Sequence, residues 1–179
     1  MEAAVKTNWI IDPTHSEVHF KVKHLVISTV TGTFKSFAGS MESENEDFQD
    51  AAIEFTLDVD SIDTNQEQRD GHLKSADFFD AAQFPKISFK SSSFKKVGDD
   101  YELAGDLTVK NVSKPVKLNV EFGGTATDFY GNDKAGFEVS GKISRKEFGL
   151  TWDGITEAGA IVVGDEIKLQ INVQFAKQA

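Results

Sequence analysis

Cysteine is absent from the 179 residues, which excludes a disulfide framework, a thiolate metal site and a cysteine nucleophile. Long apolar runs are absent as well. The longest, at 158–163, is far shorter than the roughly 20 residues that cross a bilayer as a helix. Residues 1–7 hold no apolar stretch of the length that a secretory signal requires. We therefore expect a cytoplasmic protein without a transmembrane segment, and a periplasmic one if a leader has been removed.

Positive charge is scarce. The chain has 19 Lys and Arg against 29 Asp and Glu, a formal net charge of −10, which makes nucleic acid a poor partner because like charges repel. Tryptophan and tyrosine are also rare, with two of each, whereas there are 15 phenylalanines. Phenylalanine brings a large apolar area with no polar atom to satisfy, so the composition favours a wide apolar interior.

Strict alternation of apolar and polar residues, the period of a half-buried strand, is the dominant pattern. Val18, Phe20 and Val22 share one face, and Lys21 and Lys23 share the other. The same alternation recurs in seven segments: 17–25, 53–59, 87–89, 101–109, 116–122, 137–143 and 167–175. A less regular strand at 29–41 brings the number to about eight. One helix is predicted at 65–75, where Thr64 and Glu67 have the spacing of a capping box, and a second short one at 77–82.

Long strands that are apolar on one face must bury that face and leave no open edge, and closing the sheet does both. We therefore predict an all-β fold, an eight-stranded antiparallel barrel, with a two-sheet sandwich as the alternative. No linker divides the chain, so residues 1–179 are expected to form one domain with a core from about 8 to 176. Gly105 and Gly141 lie on the apolar face, where they predict either a bend or space left for a ligand.

A barrel of this size is just wide enough to be filled by side chains or to hold one ligand, and we predict a bound apolar chain. The residues expected to form its wall are Val18, Phe20, Val22, Phe55, Leu57, Phe89, Leu103, Leu107, Phe137 and Val139. Phe78 and Phe79, which follow the helix, are expected to plug or gate the opening. The candidates for contact with a polar end of the ligand are His24, Arg69, His72 and Arg145.

Each polar candidate also has a structural interpretation. His24 fits a hydrogen-bonded core histidine, and Arg69 fits an ion pair with Asp70 that ties the helix to the barrel rim. No catalytic, phosphate-binding or metal-binding motif occurs, so we expect no cofactor, no metal and no enzymatic activity. Two alternatives stay open: an enzyme acting on its lipid through His24 or His72, and a filled barrel that binds proteins through its outer surface.

Several stretches together resemble the YceI-like family, over nearly the whole chain. They read WIID at 9–12, HSEVHF at 15–20, SIDT at 61–64, RDGHLKSADFFD at 69–80, PKISFKS at 85–91 and GDLTV at 105–109. The resemblance implies a bacterial, lipocalin-like barrel with a deep apolar cavity. It implies a polyisoprenoid, an isoprenoid quinone or a fatty-acid-like amphiphile as the ligand, and no settled enzymatic activity. It also makes a homodimer and export to the periplasm reasonable expectations.

Overall fold

The computed structural model describes residues 6–25, 27–44, 47–150 and 163–178. Within them lie eleven β-strands and one α-helix, α1 (Glu67–Lys74). The strands are β1 (Thr7–Ile11), β2 (Glu17–His24), β3 (Ser28–Phe34), β4 (Phe37–Ser43), β5 (Ala52–Asp58), β6 (Ile62–Asp63), β7 (Lys86–Val97), β8 (Asp100–Val109), β9 (Val112–Thr127), β10 (Asp133–Ser144) and β11 (Val163–Lys177). No helix in these ranges is long and apolar enough to cross a membrane.

The strands close into a ring. The order β1-β4-β5-β7-β8-β9-β10-β11 is completed by pairing of β1 with β11, and the pairings are antiparallel. Three barrel strands consist of two segments each, because β2 continues β1, β4 continues β3 and β6 follows β5. The predicted eight-stranded antiparallel barrel is therefore confirmed, and the sandwich alternative is wrong. Closure pairs the edges that a sandwich would leave open.

The helix is shorter than the predicted 65–75, and the predicted capping box does not form. The residue before α1 is Gln66, which makes no capping hydrogen bond with its side chain. The Thr64 hydroxyl instead donates to the Asp70 carboxylate over 2.5 Å. The second predicted helix, at 77–82, is also wrong, because this segment forms turns. Asp80 there has a φ of 51°, in the left-handed region, which ends helical propagation.

Gly105 and Gly141 permit close packing and do not leave space. A Cβ atom on Gly105 would lie 2.4 Å from the Lys90 carbonyl oxygen and 2.6 Å from the ring of Phe89. Gly105 faces Ser91, where the register between β7 and β8 shifts. A Cβ atom on Gly141 would lie 2.4 Å from a methyl carbon of Leu118. A local distortion of the barrel is therefore supported at Gly105, and neither glycine adds room for a ligand.

Hydrogen bonds from polar side chains stabilise the turn between β1 and β2. The Asp12 carboxylate accepts hydrogen bonds from the Thr14 N–H (3.0 Å) and hydroxyl (2.6 Å), and lies 2.8 Å from Nδ1 of His15 and 3.0 Å from Nζ of Lys134. The buried Ser16 hydroxyl donates to the Asp12 carbonyl and accepts from the backbone N–H of Gln174. The hydrogen bonds from Thr14 and His15 hold the pKa of the Asp12 carboxyl far below its usual range.

This carboxylate predicts a pH-dependent contribution to stability. We expect Asp12→Ala to lower the free energy of unfolding by about 1 kcal/mol at pH 7, as loss of a capping side chain typically does. A carboxyl whose pKa is lowered by folding stabilises the protein above its unfolded value of about 3.9, and the contribution is lost as the pH falls through the folded value. The deficit of the variant should therefore shrink below about pH 4.

Urea unfolding at pH 7 and pH 3 measures that deficit. The control is Asp60→Ala, at an exposed carboxylate in the turn Val59–Ser61. It should differ little from the wild type at either pH. A deficit of Asp12→Ala that is equal at both pH values would contradict the assignment.

The two ends of the barrel differ. At one end, Phe48 lies inside the ring of strands, with ring-centroid distances of 5.4 Å to Trp9, 5.6 Å to Phe122 and 5.5 Å to Phe137. The Tyr101 hydroxyl donates to the Asp47 carbonyl and holds this loop in place. We call this the closed end. The other end, which we call the mouth, carries the β2–β3 turn, α1 with the turns that follow it, and residues 145–150.

Candidate functional site

The barrel interior contains a cavity of about 210 Å³. Among the described residues, 35 line it, and all but His19, Glu54 and Arg145 are apolar. The wall reaches from Met41, Phe94 and Phe175, next to the closed end, to Leu73, Phe79 and Val163 at the mouth. Such an interior offers dispersion contacts to an apolar ligand and almost no hydrogen-bonding partner, so an apolar chain is the chemistry that it fits.

The middle of the wall lies between two buried clusters. One surrounds Phe94 and Phe137 near the closed end, and the other surrounds Phe20 and Phe148 near the mouth. The partly buried residues that pack against both clusters are Phe37, Phe55, Leu107, Val116, Leu169 and Ile171. Of these, all but Phe37 line the cavity. Their incomplete burial halfway along the barrel identifies them as the side chains that face the void.

The predicted wall residues all line the cavity: Val18, Phe20, Val22, Phe55, Leu57, Phe89, Leu103, Leu107, Phe137 and Val139. Phe78 and Phe79 line it as well, at the mouth, where the ring centroid of Phe79 lies 6.1 Å from that of Phe34. Contact of these side chains with a ligand stays a prediction.

Arg69 does not line the cavity. Its Nε donates to the Thr64 hydroxyl over 2.7 Å and a terminal nitrogen donates to the Thr64 carbonyl over 2.6 Å. Asp70 accepts from the Thr64 N–H over 2.8 Å. Thr64 itself is buried directly after β6. The placement favours the structural interpretation, in which Arg69 and Asp70 tie α1 to the barrel, although they do so through Thr64 rather than through an ion pair with each other.

Neither histidine of the enzymatic alternative lines the cavity. His72 lies 2.9 Å from the Asp77 carboxylate and packs edge-on against Phe78, with 5.1 Å between ring centroids. His24 is the last residue of β2, paired across the sheet with Ser28 and Val163. In the described parts of the chain, no group of three or more His, Asp or Glu side chains is arranged to hold a metal ion. Acid–base chemistry on a ligand in the cavity therefore has no support from either histidine.

Arg145 is the predicted polar candidate that does line the cavity. It follows β10 directly, in the turn Arg145–Phe148, and its side chain is buried with 2 % exposure. Three backbone carbonyls accept its guanidinium hydrogen bonds: Gly164 from Nε at 2.7 Å, Leu150 at 2.6 Å and Val163 at 2.9 Å. The side chain thus joins the segment after β10 to the start of β11 and places a positive charge at the mouth end of an apolar cavity.

Sequence reasoning missed part of the wall. Val116, Leu169 and Ile171 lie in the alternating segments 116–122 and 167–175, but they are not among the predicted wall residues. Phe148 and Leu150 also line the cavity, but Phe148 ends the helical turn that begins at Arg145 and Leu150 follows that turn, so they share no strand period. The alternation that predicts the wall therefore does not mark those two.

Comparison with known proteins agrees with this geometry. A family model described as a YceI-like domain matches residues 9–175. Protein YceI of Salmonella newport is 37% identical over 178 residues, which cover 98% of this chain and 90% of the relative. The YCEI protein of Campylobacter jejuni, a solved structure, is 31% identical with a TM-score of 0.74, over 88% of this chain and 90% of that one.

Two more distant structures share the fold. Burkholderia cenocepacia BcnA has a TM-score of 0.78 at 22% identity, and covers 92% of this chain and 98% of its own. A polyisoprenoid binding domain from Saccharophagus degradans has a TM-score of 0.70 at 15% identity, with 95% and 98% covered. The match of the family model to nearly the whole chain and the 37% identical relative confirm the predicted resemblance. The protein belongs to the YceI-like family.

Proposed function

We propose that the protein binds a long-chain apolar lipid in the barrel and sequesters or carries it. The ligand classes that fit are a polyisoprenoid, an isoprenoid quinone and a fatty-acid-like amphiphile. The observation that carries the proposal is a cavity whose described wall is apolar at all but three of its 35 residues. Each buried methylene contributes about 0.8 kcal/mol, so a chain of a few isoprene units gains enough to bind tightly without polar chemistry.

The shape of the cavity favours an elongated ligand. Along β11, wall residues run from Ile167 to Phe175, eight positions on a strand that rises about 3.3 Å per residue, so the wall extends for roughly 26 Å along that strand. A wall of this length suits one extended chain. The description of the Saccharophagus degradans domain as polyisoprenoid binding also supports this class of ligand.

The polar end of an amphiphile would lie at the mouth, where Arg145 is the charged residue of the described wall whose side chain is buried. At the other end the wall stops at Met41 and Phe94, both 1 % exposed, and Phe48 lies beyond them. A headgroup directed there would lose its hydration without gaining partners. The lipid would therefore enter tail first and keep its polar end near the solvent.

Solvent extraction of the purified protein, followed by mass spectrometry, tests the proposal. We expect an isoprenoid or fatty-chain species in a ratio of about one per protein, or uptake of added geranylgeraniol or palmitate to that ratio. A clean extract together with no uptake of either probe would overturn the proposal and favour a barrel that works through its outer surface. Recovery of a chemically altered probe would instead favour the enzymatic alternative.

A further inference from the structure

A row of lysines crosses three neighbouring strands on the outside of the barrel. In the strand pairing, Lys21 on β2 lies opposite Lys168 on β11, and Lys168 lies opposite Lys142 on β10. Lys23 lies two residues nearer the mouth on β2, and all four side chains are exposed. We call these four residues the lysine row. Within reach of it, Glu166 lies 3.9 Å from Lys142.

This arrangement is unfavourable for the isolated protein. Like charges directly opposite each other on a sheet are destabilising, yet here two such pairs stand side by side. The chain as a whole has a net charge of −10, so it has enough carboxylates for each lysine to lie next to one. Concentrating them on one face of an acidic protein creates a local field that attracts an anionic partner.

An exposed apolar side chain lies at the same end of the barrel. Ile27, in the turn between β2 and β3, is 86 % exposed. The base of this turn is next to the mouth, because His24 pairs with Val163, whose carbonyl accepts a hydrogen bond from Arg145. Lys21 stands three residues before the end of β2, about 10 Å along the strand, which is comparable with the screening length at physiological salt.

The closed end has the opposite character. Its β9–β10 turn exposes two aromatic side chains, Phe129 at 104 % and Tyr130 at 90 %. Asp128 precedes them and Asp133 follows them, and Asp99 and Asp100 lie in the neighbouring β7–β8 turn. Aromatic side chains favour a membrane interface, but carboxylates are repelled by an anionic one. The mouth also carries carboxylates, among them Asp77 and Asp80 after α1. The two ends therefore differ in that the lysine row adjoins the mouth.

We propose that the mouth end docks on an anionic lipid bilayer, with Ile27 entering the interface and the lysine row facing the headgroups. Peripheral membrane binding is stable when a small apolar insertion is combined with basic residues, and this end supplies both. A single aliphatic side chain beside lysines suits a bilayer better than a protein surface, which needs a broader complementary patch. Docking in this orientation brings the cavity opening to the membrane. The inference uses the outer surface alone, so it can fail while the proposed function holds.

Flotation of the full chain with vesicles tests the docking. With phosphatidylcholine vesicles containing 30% phosphatidylglycerol we expect binding that falls as NaCl rises from 50 to 300 mM, and little binding to pure phosphatidylcholine. The double variant Lys21→Gln/Lys168→Gln should bind the anionic vesicles about 30-fold more weakly, since each basic residue near the surface contributes about five- to sixfold. Ile27→Ser should bind several-fold more weakly.

The closed end supplies the matched control. Phe129→Ser/Tyr130→Ser removes two exposed aromatic side chains and should leave vesicle binding unchanged. The lysine variant should keep or slightly raise the melting temperature and should keep its uptake of geranylgeraniol from detergent, because none of its changes touches the cavity wall. Equal binding of the wild type to neutral and anionic vesicles, or binding to neither, would overturn the inference. The inference would also be overturned if the closed-end variant lost vesicle binding while Ile27→Ser bound as tightly as the wild type.

Discussion

Leu169→Trp should weaken binding of an isoprenoid or fatty chain by about 50-fold or more while the barrel stays folded. Leu169 lies in the middle of the wall, paired with Gly141 on one side and Phe20 on the other, and faces the void. An indole there occupies space that several methylenes of the ligand would need. Displacing three of them costs about 2.4 kcal/mol, which is roughly 50-fold in Kd.

The same substitution should not lower the melting temperature, because it fills a cavity of about 210 Å³ rather than a packed site. Titration with a fluorescent fatty acid analogue measures the affinity, and thermal unfolding measures the stability. Gln170→Trp is the control, since it places the same side chain one residue further on, on the exposed outer face of β11. Its affinity should stay within about twofold of the wild type. If Leu169→Trp bound the ligand with unchanged affinity, the ligand would not bind in this cavity.

The cavity wall could be predicted from sequence to the extent that strand parity decides it. Alternation assigns Val18, Phe20 and Leu107 to the inside because successive side chains point to opposite faces of a sheet. Depth along the barrel is not a local property. Whether Leu169 faces a void or a packed neighbour depends on the register of β11 against both β10 and β2, and β2 lies at the other end of the chain.

Polar residues were harder to assign, because their partners decide their role. Thr64 and Glu67 match a capping box by spacing, yet the Thr64 hydroxyl bonds to Asp70, and the match has no structural counterpart. Residue type makes Arg69 a candidate for contact with the ligand's polar end, but in the structure its guanidinium donates to Thr64. A guanidinium serves a carbonyl and a headgroup oxygen equally well, so residue type alone does not separate the two roles.

Arg145→Met should lower the free energy of unfolding by about 3–5 kcal/mol, a large part of the 5–15 kcal/mol typical of a domain. The change leaves the carbonyls of Leu150, Val163 and Gly164 without the donors that they have in the wild type. Hydrogen bonds to a charged group contribute about 1.5–3 kcal/mol each, and three on one side chain do not add fully. The melting temperature should fall by roughly 10 °C, which thermal and urea unfolding both measure.

Lys114→Met is the control, because it removes an exposed cation near the start of β9 and should change stability by no more than about 0.5 kcal/mol. If the two variants are equally stable, the three hydrogen bonds of Arg145 do not hold the mouth together.

Arg145→Lys covers the case in which Arg145→Met fails to fold, since it keeps the charge but not the planar fork. It also separates the roles of the side chain. A purely structural Arg145 predicts equal losses of affinity for palmitate and geranylgeraniol, whereas contact with the polar end of the ligand predicts a larger loss for the carboxylate.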